Sequence, residues 1–211
     1  MIAALTLIER DLLRTLTRRV RILTLSQIAS CWWPAIRRLR GIRQQLRRLE
    51  AAGLVEVYCV NAHPLLRVDG PLFAWQPGRN DPDVDHIGEA TRLRWTRRAI
   101  PTVVCVASPL AANLFGSTAR SLPAMEHRDH DLRLADVYVH YRRQHPRLAR
   151  LWIGEHAFAK AGYRVKDPDA FLIDRQRRVI RVIESAGRYG PQQVESFHEH
   201  CVEHDLPYEL W

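Results

Sequence analysis

Two short apolar runs, Ala170–Ile173 and Val179–Ile183, constrain this chain more than any other feature. Each has the length of a buried strand. The residues between them, Asp174-Arg175-Gln176-Arg177, are polar and few, which predicts a hairpin. Asp169 enters the first strand and Glu184 leaves the second. Antiparallel pairing would bring these two acids to the same end. Two carboxylates converging there suit one hard divalent cation, held through oxygen. Ordinary acidic caps on a hairpin have the same spacing, so both readings stand at this point.

The surroundings of the hairpin extend the pattern. Arg128–Gln144 reads as a long helix with Leu132, Ala135 and Val139 on an apolar stripe. Leu148–Ile153 reads as a strand, Pro191–His204 as a helix and Leu206–Trp211 as a last strand. Helix, strand, strand, strand, helix, strand predicts a sheet with flanking helices, an α/β core.

The whole chain, at 211 residues, has room for one large or two small domains. A small, polar stretch at Gly116–Pro123 is the expected boundary. The expected division is 1–78, then a connecting helix and strand over 79–122, then 123–211. No apolar run approaches the ~18 residues of a membrane span. The N-terminal basic residues follow the apolar stretch, which argues against a secretory signal. Cys31, Cys59, Cys105 and Cys201 are widely spaced and contain no CxxC pair. Together these features predict a cytoplasmic protein.

Charge narrows the partner. The net charge is +9, and only Lys160 and Lys166 among the basic residues are lysines. Such an excess attracts polyanions, and arginine suits two-pronged phosphate contacts. A proteome rich in arginine would raise the count everywhere, so the clustering matters. The densest cluster lies near the N-terminus. Leu5–Arg19 reads as a helix with Leu5, Ile8, Leu12 and Leu16 on one face. Leu25–Trp33 reads as a second helix, capped by Thr24 or Ser26. A third is expected from Pro34 to about Ala52, ended by Gly53. Ile36, Leu39, Ile42, Leu46 and Leu49 would form its buried face. Arg37, Arg40, Gln44, Arg47 and Arg48 stand opposite, with Arg38 and Arg43 at the borders. Leu54–Val60 and Pro71–Trp75 then read as two strands of a hairpin. Val84–Arg98 reads as a helix and Thr102–Ala107 as a strand.

Three helices and a hairpin, with LRRLEAAGLVEV at the end of the third helix, resemble winged-helix proteins. The resemblance implies that the third helix enters the major groove of duplex DNA and the wing touches the backbone. Arg37, Arg40, Gln44 and Arg47 would face the DNA, Arg43 and Arg48 would flank them, and Arg67 would serve the wing. The second half resembles the PD-(D/E)xK nuclease superfamily through Pro168-Asp169 and Glu184. That resemblance implies Mg²⁺ held by Asp169 and Glu184. It also implies a lysine two residues after the glutamate, where this chain has Ala186. Lys166 and Arg188 are the nearest substitutes, and arginine cannot accept a proton at neutral pH. Gln193 with Phe197 resembles a glutamine–aromatic pattern of some members. Glu126-His127, Trp152–Glu155 and the PDA triplet, joined to a winged helix, resemble the replication-relaxation family of plasmids and mobile elements. This last resemblance spans roughly residues 5–210 and implies that Glu155 joins Asp169 and Glu184. The fold class expected overall is α/β (α+β counting the helical front): an N-terminal winged helix followed by a PD-(D/E)xK nuclease-like core.

Three functions follow as expectations. The first is a double-stranded-DNA-binding protein of a mobile or defence element, its nuclease-like half an inactive scaffold; Ala186 favours it. The second is an active endonuclease using Mg²⁺; without activity no cofactor is expected. The third is a protein-interaction module that dimerises through the winged helix. Separately, His198, His200, Cys201 and His204 crowd one segment, and the four-residue step from His200 to His204 suits zinc, although a polar helix face explains it as well.

Overall fold

The computed structural model describes residues 5–36, 38–64, 69–93, 97–117, 122–157 and 168–211. The front of the chain is helical because its turns carry strong start and stop signals. Helix α1, Leu7–Arg18, begins with a capping box: Glu9 N–H donates to Thr6 Oγ1 (3.2 Å) and Thr6 N–H donates to Glu9 Oε2 (2.8 Å). A two-residue strand β1, Leu23–Thr24, leads into α2, Leu25–Trp32. Thr24 and Gln27 form the second capping box, and the same Gln27 amide donates to Asp136 Oδ1 (3.2 Å) on a later helix.

Helix α3 is Leu39–Ala51, not the expected Pro34–Ala52. Pro34 sits instead in a turn, closed by Ile36 N–H donating to the Trp33 carbonyl (2.9 Å). Leu39, expected inside, is half exposed. Ile42, Leu46 and Leu49 carry the buried stripe as expected. Gly53 ends the helix in the left-handed region (φ 69°), with Leu54 N–H donating to Leu49 O and Gly53 N–H to Glu50 O. Those two bonds make a Schellman motif, for which a residue without Cβ is suited.

Strand pairing departs from expectation in one large way. Strand β2, Val55–Ala62, does not pair with β3, Phe73–Trp75. Its antiparallel partner is β4, Ile100–Ala107, in register from Val55↔Ala107 to Ala62↔Ile100. With β1 they make a sheet of order β1-β4-β2. Between β2 and β4 the chain leaves this sheet, contributes β3 to a second one, forms α4 (Val84–Leu93), and returns. The sequence between these strands thus looks local but pairs at long range. The β2–β4 pairing crosses the expected boundary at 78, and β3, by pairing with the last strand (Tyr208–Leu210), crosses those at 78 and 122.

The rest follows in order: α5 (Pro109–Leu114), α6 (Met125–Gln144), α7 (Pro146–Ala149), β5 (Trp152–Gly154) and one 3-10 turn. Then come β6 (Ala170–Ile173), β7 (Val179–Glu184), α8 (Pro191–Glu203) and β8 (Tyr208–Leu210). The expected strand Leu148–Ile153 is therefore half helical turn. The expected hairpin is present, with Ala170 opposite Ile183. The second sheet runs β3-β8-β7-β6-β5, and only β7 and β8 are parallel. Parallel neighbours need a crossover, and α8 supplies it.

Two apolar cores sandwich that sheet. One joins Leu12, Leu16, Ile28 and Leu46 to Tyr138, Trp152, Ile183 and Trp211, so the helical front and the second sheet share a core. The other, on the α8 side, includes Trp75, Ile87, Phe171, Val194, Phe197 and Tyr208. Gly88 of α4 abuts the start of α8: a Cβ there would lie 2.9 Å from Pro191 Cδ and 3.0 Å from Pro191 N. Neither atom can rotate away. Gly88→Ala should therefore cost about 1–3 kcal/mol by overpacking, read as a lowered midpoint in urea. An unchanged midpoint would refute this close approach. Among the described residues, no helix is long and apolar enough to cross a membrane.

Candidate functional site

The hairpin register carries Asp169 and Glu184 to one end, where they meet. Asp169 N–H donates to Glu184 Oε2 (3.3 Å), and Ser185 N–H donates to Asp169 Oδ2 (2.7 Å). Glu184 Oε1 accepts from the Tyr189 hydroxyl. The expected convergence is present, and both oxygens of Glu184 and the Oδ2 of Asp169 meet protein donors.

A third partner comes from α6. His130 Nε2 lies 3.1 Å from Asp169 Oδ2, and its Nδ1 lies 3.6 Å from Asp131 Oδ1. Asp131 is in turn 3.3 Å from the Arg21 guanidinium. Burial opposes charge on His130, but the nearby carboxylates of Asp131 and Asp169, the second of them hydrogen-bonded to the ring, outweigh it, raising its pKa to about 11. Burial, then the charge of Asp169, pushes Glu184 up to about 8, against the Tyr189 hydrogen bond and the His130 charge. The cluster is a buried acid pair with an imidazolium at the place a cation would take.

Glu155 joins through its backbone: its N–H donates to the Asp169 carbonyl (2.9 Å). Its exposed residue lines a cavity of about 230 Å³ with Arg19, Arg21, His127, His130, Asp131 and Asp169. Three of the expected acids thus come together, but only Asp169 and Glu184 interlock.

A hard dication wants ionised oxygens with free lone pairs. Here both oxygens of Glu184 accept hydrogen bonds, and Asp169 Oδ2 is shared between a backbone amide and the His130 ring. The arrangement does not fit Mg²⁺.

The residue two places after Glu184 differs from the expected lysine in its surroundings as well as in type. Ala186 is fully buried in the apolar cluster on the α8 side. A lysine there would enter that core rather than the acid cluster, and burying an unpaired ammonium costs several kcal/mol. Ala186→Lys should therefore destabilise the fold by roughly 3 kcal/mol or more and restore no cutting, checked by denaturant unfolding beside a plasmid-nicking assay. Arg188 is exposed, and Lys166 lies outside the described residues. Gln193 caps α8, its Oε1 accepting from Gly190 N–H (2.5 Å), while Phe197 is core. Both have structural work to do. Sequence reasoning did not single out His130; the crowding of His127, His130 and Asp131 on one predicted helix was the available signal.

On α3, Arg40, Gln44 and Arg47 are exposed at steps of four and three, hence on one face. Arg43 is turned inward to Glu50 (2.9 Å). Arg48 reaches the buried Glu9 carboxylate (2.8 Å), the same group that caps α1. These two arginines are ion-paired within the protein, so the expected row shrinks to its centre. Arg37 and Arg67 lie outside the described residues.

His198 is held by Tyr208 (Nδ1 to hydroxyl, 3.0 Å) and Asp81 (Nε2 to Oδ1, 3.1 Å), and packs edge-on to Trp75. It therefore stands apart from the other histidines of its segment. No protein-family model matches this chain, and no curated protein or solved structure matches it.

Proposed function

We propose that this chain binds duplex DNA through α3, and that its second sheet keeps the outline of a PD-(D/E)xK nuclease around a site closed to metal. The order α1-β1-α2-α3-β2-β4 supports a winged helix, with β2 and β4 as the wing and the β3–α4 excursion inserted between them. The observation that carries the reading is the exposed Arg40–Gln44–Arg47 face on a helix whose opposite side is buried. Those side-chain types match both phosphates and base edges. The net charge of +9 supports the same partner. A place among replication-relaxation proteins of mobile elements is the family reading this implies.

Cutting is the second reading, favoured by the meeting of Asp169 and Glu184. It requires His130 to leave and Glu184 to ionise. Fluorescence anisotropy on labelled duplexes tests both readings together. Affinity should fall steeply as salt rises, because phosphate contacts release counterions. Added Mg²⁺ should leave the duplex intact. Salt-insensitive or absent binding would defeat the first reading in favour of a dimerisation module. Cleavage abolished by Asp169→Asn would defeat the scaffold half.

A further inference from the structure

The end of α8 carries a second cluster that shares no residue with the acid pair or the α3 face. His200, Glu203 and His204 each place one donor atom within 4.8 Å of the others. Their spacing, three and four residues, puts all three on one helix face. His200 is buried beneath, while Glu203 and His204 are exposed above it. The two imidazole rings lie 4.4 Å apart between centroids.

One contact goes beyond proximity. His204 Nδ1 lies 2.9 Å from the His200 carbonyl. A carbonyl only accepts, so Nδ1 carries the hydrogen and Nε2 is the nitrogen through which this ring would bind a metal. Metal-binding histidines are oriented and tautomer-locked by this kind of bond. The carbonyl end of a helix also favours positive charge. Two imidazoles and one carboxylate leave a fourth position open for water.

We propose that His200, Glu203 and His204 bind one divalent cation of the borderline class, zinc, nickel or cobalt, at the C-terminal end of α8. Imidazole selects these ions over Mg²⁺ or Ca²⁺, which prefer all-oxygen sites. The ion would pin the last turn of α8 where the chain bends into β8. That bend is tight: Asp205 has φ 51° and Leu206 N–H donates to the Cys201 carbonyl (2.8 Å). Bracing it would steady β8, the strand between β3 and β7.

The test uses the full-length, tag-free chain after chelator treatment and dialysis. Co²⁺ titration should give a saturable visible band at one equivalent, and Zn²⁺ should quench it stoichiometrically. Zn²⁺ should also raise the melting temperature. His204→Ala and Glu203→Gln alter exposed side chains, so folding is preserved and checked by circular dichroism. His204→Ala should weaken Zn²⁺ binding at least tenfold and erase the thermal shift; Glu203→Gln should weaken it less. His86→Ala, an exposed histidine elsewhere, should change nothing. Absence of saturable binding below millimolar Zn²⁺ would overturn the proposal. So would binding that survives His204→Ala, or that is lost on Asp169→Asn instead.

Discussion

Arg40→Ala combined with Arg47→Ala is expected to weaken duplex binding roughly 100-fold or more, if each arginine contributes about 1–3 kcal/mol through base or phosphate contacts. Both side chains project from α3 into solvent, while the stripe of Ile42, Leu46 and Leu49 anchors the helix from below. The double variant should therefore fold normally. Each arginine that meets a phosphate should also lower the slope of log affinity against log salt by about one. Gln44→Ala should relax sequence preference more than it weakens non-specific binding, because an amide reads base edges and carries no charge. Arg48→Ala offers a contrast. Its loss uncovers the buried Glu9 carboxylate, so it should lower stability more than affinity. Wild-type affinity in the double variant, at equal salt, would remove α3 from the interface.

The second large effect belongs to His130. His130→Ala leaves two poorly hydrated carboxylates, Asp131 and Asp169, without the imidazolium between them. Removing one member of such a network costs about 3–5 kcal/mol when it is fully buried. His130 is one-third exposed, so roughly 2–3 kcal/mol is expected, discounted for solvent screening. The same contacts give a pH signature. His130 is raised to about 11 from an ordinary 6.5, so its stabilising charge is fully present below 6.5 and is lost as pH rises through 11. Glu184 is raised to about 8 from 4.5, so the folded state holds that proton more tightly, and stability falls as pH climbs from 4.5 through 8. Both groups make the folded state bind more protons than the unfolded one. Stability measured in urea should therefore decline from pH 6 to pH 10, and His130→Ala should flatten the limb above pH 8. A wild-type curve that rises over this interval would refute the charge assignment in the cluster.

These two predictions differ in how far the sequence alone supports them. The α3 face was readable from spacing, because a helix period of 3.6 residues converts positions into faces without reference to the rest of the fold. What spacing could not reveal is that Arg43 and Arg48 are turned to Glu50 and Glu9, since Glu9 arrives from another helix. The hairpin was equally legible: two strands, a short turn and a period of two bring Asp169 and Glu184 to one end. His130 was hidden because its contact spans 39 residues and depends on how α6 lies against the sheet.

The pairing of β2 shows the same limit from another side. Its nearest strand in sequence is β3, and short connections favour hairpins. Yet β3 pairs with β8 at the far end of the chain, and β2 waits for β4. Local patterning names strands but not partners, because backbone hydrogen bonds are alike in every strand; burial of particular side chains against both faces makes the choice.

The amino-acid sequence by itself determined the helical front, the cap at Thr24, the basic face of α3 and the acidic mouth of the β6–β7 hairpin, all of which depend on neighbours a few residues away. Only the tertiary structure decided that the acid pair meets a charged histidine, that Ala186 lies in an apolar core, and that β2 pairs with β4 while β3 joins the second sheet. Those outcomes depend on burial and on charges brought together over long chain separations, which local periodicity does not encode.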